Sequence, residues 1–167
     1  AIISAISHPD LGAMKRAIES NVQRKVTIAK PNEIKSLQDY NVLILYQPTT
    51  DFKTIFENNK GTGINTFIIT GNNTDFNFLN QQQDNLNFKM SGQKEDYLSV
   101  FNGQFNLFAA DNIGFENLPP LQNAFGTVTT KGAVSVLLSS KIRSIDTNSP
   151  LLAFAENQGK RAAYLLG

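Results

Sequence analysis

The sequence predicts an α/β domain: an open, mostly parallel sheet flanked by helices, with antiparallel strands added in the C-terminal half. Three observations carry this. Over the first 71 residues, apolar runs alternate with segments of helical periodicity in the order strand, helix, strand, helix, strand, helix, strand. The third run, Val42 to Leu45, is apolar at every position, as expected of a strand covered on both faces. From about Phe101 onward, turn residues punctuate short β-prone runs instead.

The elements follow in order. "AIISAIS" is rich in Ile and reads as a buried strand. Leu11, Met14, Ile18 and Val22 recur at three- and four-residue spacing and share one helical face, with Lys15, Arg16 and Glu19 opposite. "RKVTIAK" reads as the second strand. "PNEIKSLQDY" reads as a short helix with Pro31 in the first turn, where its missing N–H would be unpaired anyway. "NVLILYQP" is the third strand. "TTDFKTIFENNKG" predicts a helix with Phe52, Ile55 and Phe56 inward and Gly61 as its stop. "INTFIITG" is the fourth strand, and the alternation argues right-handed crossovers between parallel neighbours. "TDFNFLNQQQDNLNF" offers a short helix ending near Gln83. Beyond it, "QFNLFAAD", "AFGTVTT" and "AVSVLLSSKIRSID" are β-prone. In "PLLAFAENQGKRAAYLLG" two apolar runs flank "ENQGK", and Gly159 can adopt positive φ, so the segment reads as a hairpin. No linker and no internal repeat interrupts the chain, so residues 1–167 read as a single α/β domain. It opens at Ala1 inside an apolar run and closes as abruptly, which predicts a domain excised from a longer multidomain protein.

Composition excludes several function classes. Formal net charge is +1 and charged residues make up 17%, with no basic stripe, so no nucleic-acid partner is expected. The 19 Asn and 10 Gln read as compositional drift, although a carbohydrate-binding surface would also use amides. With no cysteine, the chain has no disulfide, thiolate metal site or cysteine nucleophile. That leaves its redox compartment open. One histidine and no calcium-loop pattern predict neither a metal nor another cofactor. No apolar run reaches the roughly 18 residues of a membrane span. Twelve of the aromatics are Phe, and Phe76, Phe78, Phe88, Phe101, Phe105 and Phe108 crowd the middle third. Most read as core, and some as cover for a face that meets another domain.

The only histidine, His8, lies in "SAISHPDLGAMKRAIESN". A helix cap explains its surroundings. Ser7 can accept a first-turn N–H, and Asp10 three residues on completes a capping-box-like pair. Pro9 suits the first turn, and Asp10 suits the positive end of the helix dipole. His8 is then the cap or its neighbour. A functional reading competes, because ligands of open parallel sheets bind beyond the C-terminal strand ends. Ser7 and His8 follow the first strand, Gln47 the third, and Gly71, Asn72 and Asn73 the fourth; these six are the candidate ligand-binding residues. "GNN" could also offer backbone N–H groups to an anion. As a catalytic set the group is poor, with a lone imidazole and no evident nucleophile, so no catalytic residue is assigned.

Three segments together carry a family resemblance: "HPDLGAMKRAIESN", "YNVLILYQP" and "PLLAFAENQGKRAAYLLG". They resemble the class I glutamine amidotransferase-like domain, a flavodoxin-like sheet. The closer likeness is to the version in large membrane-anchored bacterial proteins that also carry a von Willebrand A-type domain. The resemblance implies a cell-envelope parent, periplasmic or membrane-associated. The catalytic parts of that family do not match. The turn that would hold its nucleophilic Cys is "TGNNTD", with Gly71 or Asn72 in that place. No His-x-Glu pair follows near the C-terminus, and "QPTTD" replaces the Gly-rich oxyanion loop. The expectation is therefore a non-catalytic copy that works through contacts with other domains of its parent or with protein partners. Two other classes stay open: a small-ligand binder at the strand ends, and a hydrolase with a Ser or Thr nucleophile and His8 as base.

Overall fold

The computed structural model describes residues 1–167. The strands and helices are β1 (Ile2–Ser4), α1 (Pro9–Glu19), β2 (Ile28–Ala29), β3 (Val42–Tyr46), α2 (Lys53–Thr62), β4 (Asn65–Thr70), α3 (Phe76–Gln82), β5 (Leu86–Phe101), β6 (Leu121–Thr130), β7 (Val134–Ile142), β8 (Ile145–Asn157) and β9 (Lys160–Leu166). All nine strands form one mixed sheet, in the order β2-β1-β3-β4-β9-β8-β7-β5-β6.

In the first half, apolar strands are sandwiched between helices. Ile2 and Ile3 are both fully buried but on opposite faces, as the alternation of a strand requires. Ile3, Leu43, Leu45 and Ile68 join the larger core with Phe52, Ile55 and Phe56 of the α2 segment and Phe78 and Leu79 of α3. Ile2, Tyr46 and Ile69 join a smaller core with Leu11 of α1. The β2–β1, β1–β3, β3–β4 and β4–β9 ladders are parallel.

Several boundaries differ from the periodicity. α1 ends at Glu19, not beyond Val22, which is 92% exposed. The Glu19 carboxylate accepts the Val26 N–H at 2.9 Å, and this tie turns the chain toward β2. "RKVTIAK" contributes only Ile28 and Ala29 to the sheet. "PNEIKSLQDY" makes a single 3-10 turn, Pro31–Glu33, in which Glu33 accepts the Lys30 N–H at 2.8 Å. α2 runs through Gly61 and stops at Gly63, whose φ of +66° is the left-handed conformation that ends a helix. α3 forms where expected, with Asp75 accepting the Phe78 N–H at 2.9 Å.

The expectation of a mostly parallel sheet is corrected: the sheet is largely antiparallel. Strands β1 to β4 are two to six residues long, whereas β5 to β8 run nine to sixteen. The long ladders β5–β6, β5–β7, β7–β8 and β8–β9 are all antiparallel. The closing hairpin forms, and Gln158 and Gly159 both take positive φ in its turn. β9 lies mid-sheet, parallel to β4 and antiparallel to β8.

β5 was not evident in the sequence. Its first part pairs with β6, its register breaks between Met90 and Lys94, and Leu98–Phe101 pairs with β7. The β5–β6 ribbon supplies Leu86, Phe88, Tyr97 and Val128 to the same core that α2 and α3 cover. "QFNLFAAD", expected as a strand, is irregular chain instead. Its Phe105 and Phe108 rings pack on Phe154 of β8, with centroids 5.8 and 5.2 Å away.

Candidate functional site

The C-terminal ends of β1, β3 and β4 do bring most of the predicted residues to one edge, in two groups. The first is built at the start of α1. His8, not Ser7, is the N-cap: its backbone is extended and its Nδ1 accepts the Asp10 N–H at 3.3 Å. Imidazole serves here because Nδ1 reaches the first turn much as an Asn oxygen would. Tyr46, at the end of β3, donates its hydroxyl to Asp10 Oδ2 at 3.0 Å and lies 3.0 Å from His8 Nδ1. The phenol has one hydrogen, so when it serves Asp10, Nδ1 is left to accept from the backbone. The proton of a neutral His8 then sits on Nε2. Burial pushes the Tyr46 hydroxyl up to about 12, and the neighbouring Asp10 carboxylate adds to this. The phenol therefore stays protonated and acts as a fixed donor.

The second group centres on Gln47. This residue is buried and adopts φ of +48°, uncommon for a side chain other than Gly, Asn or Asp. Its backbone N–H donates to Ile69 at 2.7 Å, and its Oε1 accepts both the N–H and the Nδ2 of Asn73 at 2.9 Å. The amide lies over Gly71, where a Cβ would come within 2.8 Å of it, so a larger residue there would displace the Gln47 side chain. Thr74 Oγ1 accepts the Gly71 N–H at 2.9 Å. Asn72 points elsewhere, donating to Gln122 of β6 at 2.9 Å, and Gln122 in turn donates to Asp96. Ser7 is exposed beside this edge.

Two hydroxyls at this edge are engaged with backbone or amide partners, whereas Thr49 Oγ1, buried two residues beyond Gln47, has no hydrogen-bond partner. Ser4 Oγ donates to Ile6 O at 2.8 Å, and Thr70 Oγ1 accepts from buried Asn123 at 2.8 Å. No three His, Cys, Asp or Glu side chains cluster to hold a metal ion. The chemistry this edge offers is hydrogen bonding, together with the Nε2 of a half-exposed imidazole.

The sequence reading missed Tyr46 as the partner of His8. It also missed Gln122 and Asn123, which β6 carries to this edge from some fifty residues away. Tyr46 is the polar-tipped end of an apolar strand, and that was the available signal. Nothing local marked Gln122 or Asn123, because their partners are set by long-range pairing.

A second candidate lies at the opposite, N-terminal end of the parallel strands, on the α1 face of the sheet. It is an open groove of about 620 Å3. Val42, Phe67, Ala163 and Phe154 line its floor, and Leu107 and Phe108 form a wall. α1 covers the neighbouring Ile2, Tyr46 and Ile69 but leaves this part of the face open. Val42, Leu107 and Phe108 are 44%, 52% and 46% exposed. The rim carries the Arg161–Glu156 ion pair, at 2.8 Å.

Against known proteins, no family matches the chain, and no curated protein matches it significantly. No helix is long and apolar enough to cross a membrane.

Proposed function

We infer that this chain is a non-enzymatic α/β interaction module that docks an apolar helix of a protein partner, or of another domain of its parent, in the groove over β3, β4, β9 and β8. The single observation that carries the reading is that groove. Parallel strands are normally covered on both faces, yet Val42 and Phe67 meet solvent beside Leu107 and Phe108. A helix with an apolar stripe is the usual cover for such a face.

Two further features support a non-catalytic copy of the class I amidotransferase-like domain, and with it a bacterial cell-envelope parent. The order β2-β1-β3-β4, continued by parallel β9, is a flavodoxin-like arrangement. At the turn where that family holds a thiol, Gly71 to Asn73 are held by Gln47 and Thr74. The test is a photo-crosslinking side chain placed at Leu107 and, separately, at Ser7, in the protein as its cell makes it. The reading expects a discrete protein adduct from Leu107 and none from Ser7. Adducts from Ser7 alone would overturn it.

A second reading, a small-ligand site at the strand ends, is favoured by the strained backbone of Gln47. It expects inorganic phosphate to raise the melting temperature of the chain and Asn73→Ala, at the residue that meets Gln47, to abolish that shift. A hydrolase would need His8-dependent turnover of a simple ester, which His8→Asn would remove.

A further inference from the structure

The polar tract that closes α3, Gln82 to Asn85, borders a pocket on the α2–α3 face of the sheet, opposite the apolar groove. The pocket has a volume of about 290 Å3 and lies between the end of α2, the end of α3 and the β8–β9 turn. Its walls are pinned. Buried Gln83 accepts the N–H groups of Asn85 and Leu86 and donates to the Leu86 carbonyl, which fixes the turn after α3. Asn59 accepts the Ile64 N–H at 2.8 Å and donates to the Ile64 carbonyl at 2.9 Å, which fixes the end of α2. Lys160 reaches over from β9 and donates to the Lys60 carbonyl at 2.8 Å.

Within these walls several groups keep bonding capacity. The Tyr164 hydroxyl accepts from Asn85, but no acceptor takes its own hydrogen. Burial pushes that phenol up to about 12, so the hydrogen stays in place. Gln82 Oε1 is buried without a partner, a rare and costly state for an amide oxygen. Asn85 Oδ1, the Asp84 carboxylate and the Lys60 ammonium bond to nothing else in the chain, and Lys160 keeps two of its three N–H groups. Donors and acceptors thus stand side by side. Six of the 16 lining residues are Asn or Gln, against 29 of 167 in the whole chain, so amides gather here beyond what composition alone would place.

We propose that this pocket binds a neutral, hydroxyl-rich ligand the size of a single sugar ring. A hydroxyl both donates and accepts, so vicinal hydroxyls serve neighbouring donors and acceptors together. A carboxylate or sulfate only accepts; it would leave Gln82 Oε1 and Asn85 Oδ1 unmet and would face Asp84. An ammonium only donates and would face Lys60 and Lys160. Small-ligand sites commonly hold roughly 300–1,000 Å3, and this pocket sits at the lower end, with room for one ring rather than an extended chain. Phe56, Ile64 and Ile68 supply an apolar side for the C–H face of such a ring. Walls held before binding lower the ordering cost. The site is independent of the groove, which lies on the other face.

The test is a nuclear magnetic resonance titration of the side-chain amides of the chain with D-glucose, D-galactose and N-acetylglucosamine at millimolar concentrations, beside inorganic phosphate. At least one sugar is expected to shift the Gln82 and Asn85 amide signals saturably while Gln93, an exposed amide of β5, stays unmoved. Gln82→Leu removes an oxygen that bonds nothing within the chain. It should leave the melting temperature unchanged or raise it, and should weaken binding of that sugar about five-fold or more. If this variant does not fold, the titration of the unaltered chain decides alone. No saturable shift with any of the three sugars, saturable shifts with phosphate alone, or a folded Gln82→Leu that binds the same sugar equally well would overturn the proposal.

Discussion

Strands β1 to β4 are two to six residues long and lie under helices, except where β3 and β4 leave Val42 and Phe67 open to the groove. β5 to β8 are nine to sixteen residues long, pair antiparallel and cover their core largely with their own ribbon. The difference teaches where each half draws its specificity. In the first, each helix is placed by the apolar stripe of its own short segment. In the second, placement depends on register between strands far apart in the chain, as with Leu86 opposite Thr130. β9 joins the two systems, with one neighbour parallel and the other antiparallel.

If β9 makes the halves one cooperative unit, Tyr164→Ala should have the largest effect. The ring is fully buried and its hydroxyl accepts from Asn85 at 2.8 Å. A loss of about 3–5 kcal/mol is expected in urea unfolding, with one transition for the whole chain. Helical signal surviving after the antiparallel half melts would break the comparison.

Alkaline pH probes both halves at once. Burial pushes Tyr46 and Tyr164 up to about 12, above the ordinary 10. The folded state thus keeps protons that the unfolded chain releases. The resulting stability is complete below about pH 10 and is lost as pH rises toward 12. Phenolate absorbance and circular dichroism followed together should show these two tyrosines ionising only as the fold is lost.

Smaller effects sharpen the contrast. Asn123→Ala removes the buried bond from β6 to Thr70 of β4, at a cost of about 1–3 kcal/mol in the same urea experiment. A negligible cost would mean that β6 does not hold the strand-end edge. His8→Ala removes the α1 cap and should cost about 1 kcal/mol by thermal melting, with His8→Asn restoring most of it. If alanine costs nothing, imidazole is not the cap.

The same contrast explains what was legible in the sequence. β3, β4 and α3 are short and locally determined, and periodicity found them. It also found the closing hairpin, through its glycine turn. Gly61 misled as a stop because the helix tolerates it and ends two residues later, at Gly63. Ser7 is the commoner capping residue, but the chain places His8 Nδ1 against the first turn instead. β5 escaped notice because "KMSGQKEDYLS" is polar and charged, and its partners lie beyond residue 120. "QFNLFAAD" has the composition of a strand, yet Phe105 and Phe108 anchor it as a loop on Phe154. Of the candidate site, the convergence of His8, Gln47 and Asn73 at one edge could be read from strand order. The groove could not, since its wall is that loop.

Hydrogen exchange tests the central claim most directly, comparing the isolated chain with the protein assembled as its cell makes it. A docked helix predicts slower exchange at Val42, Asn65 to Phe67 and Leu107 to Phe108 in the assembled protein, with Gly71 to Thr74 and the first turn of α1 unchanged. Protection confined to Gly71 to Thr74 and the first turn of α1 would contradict it.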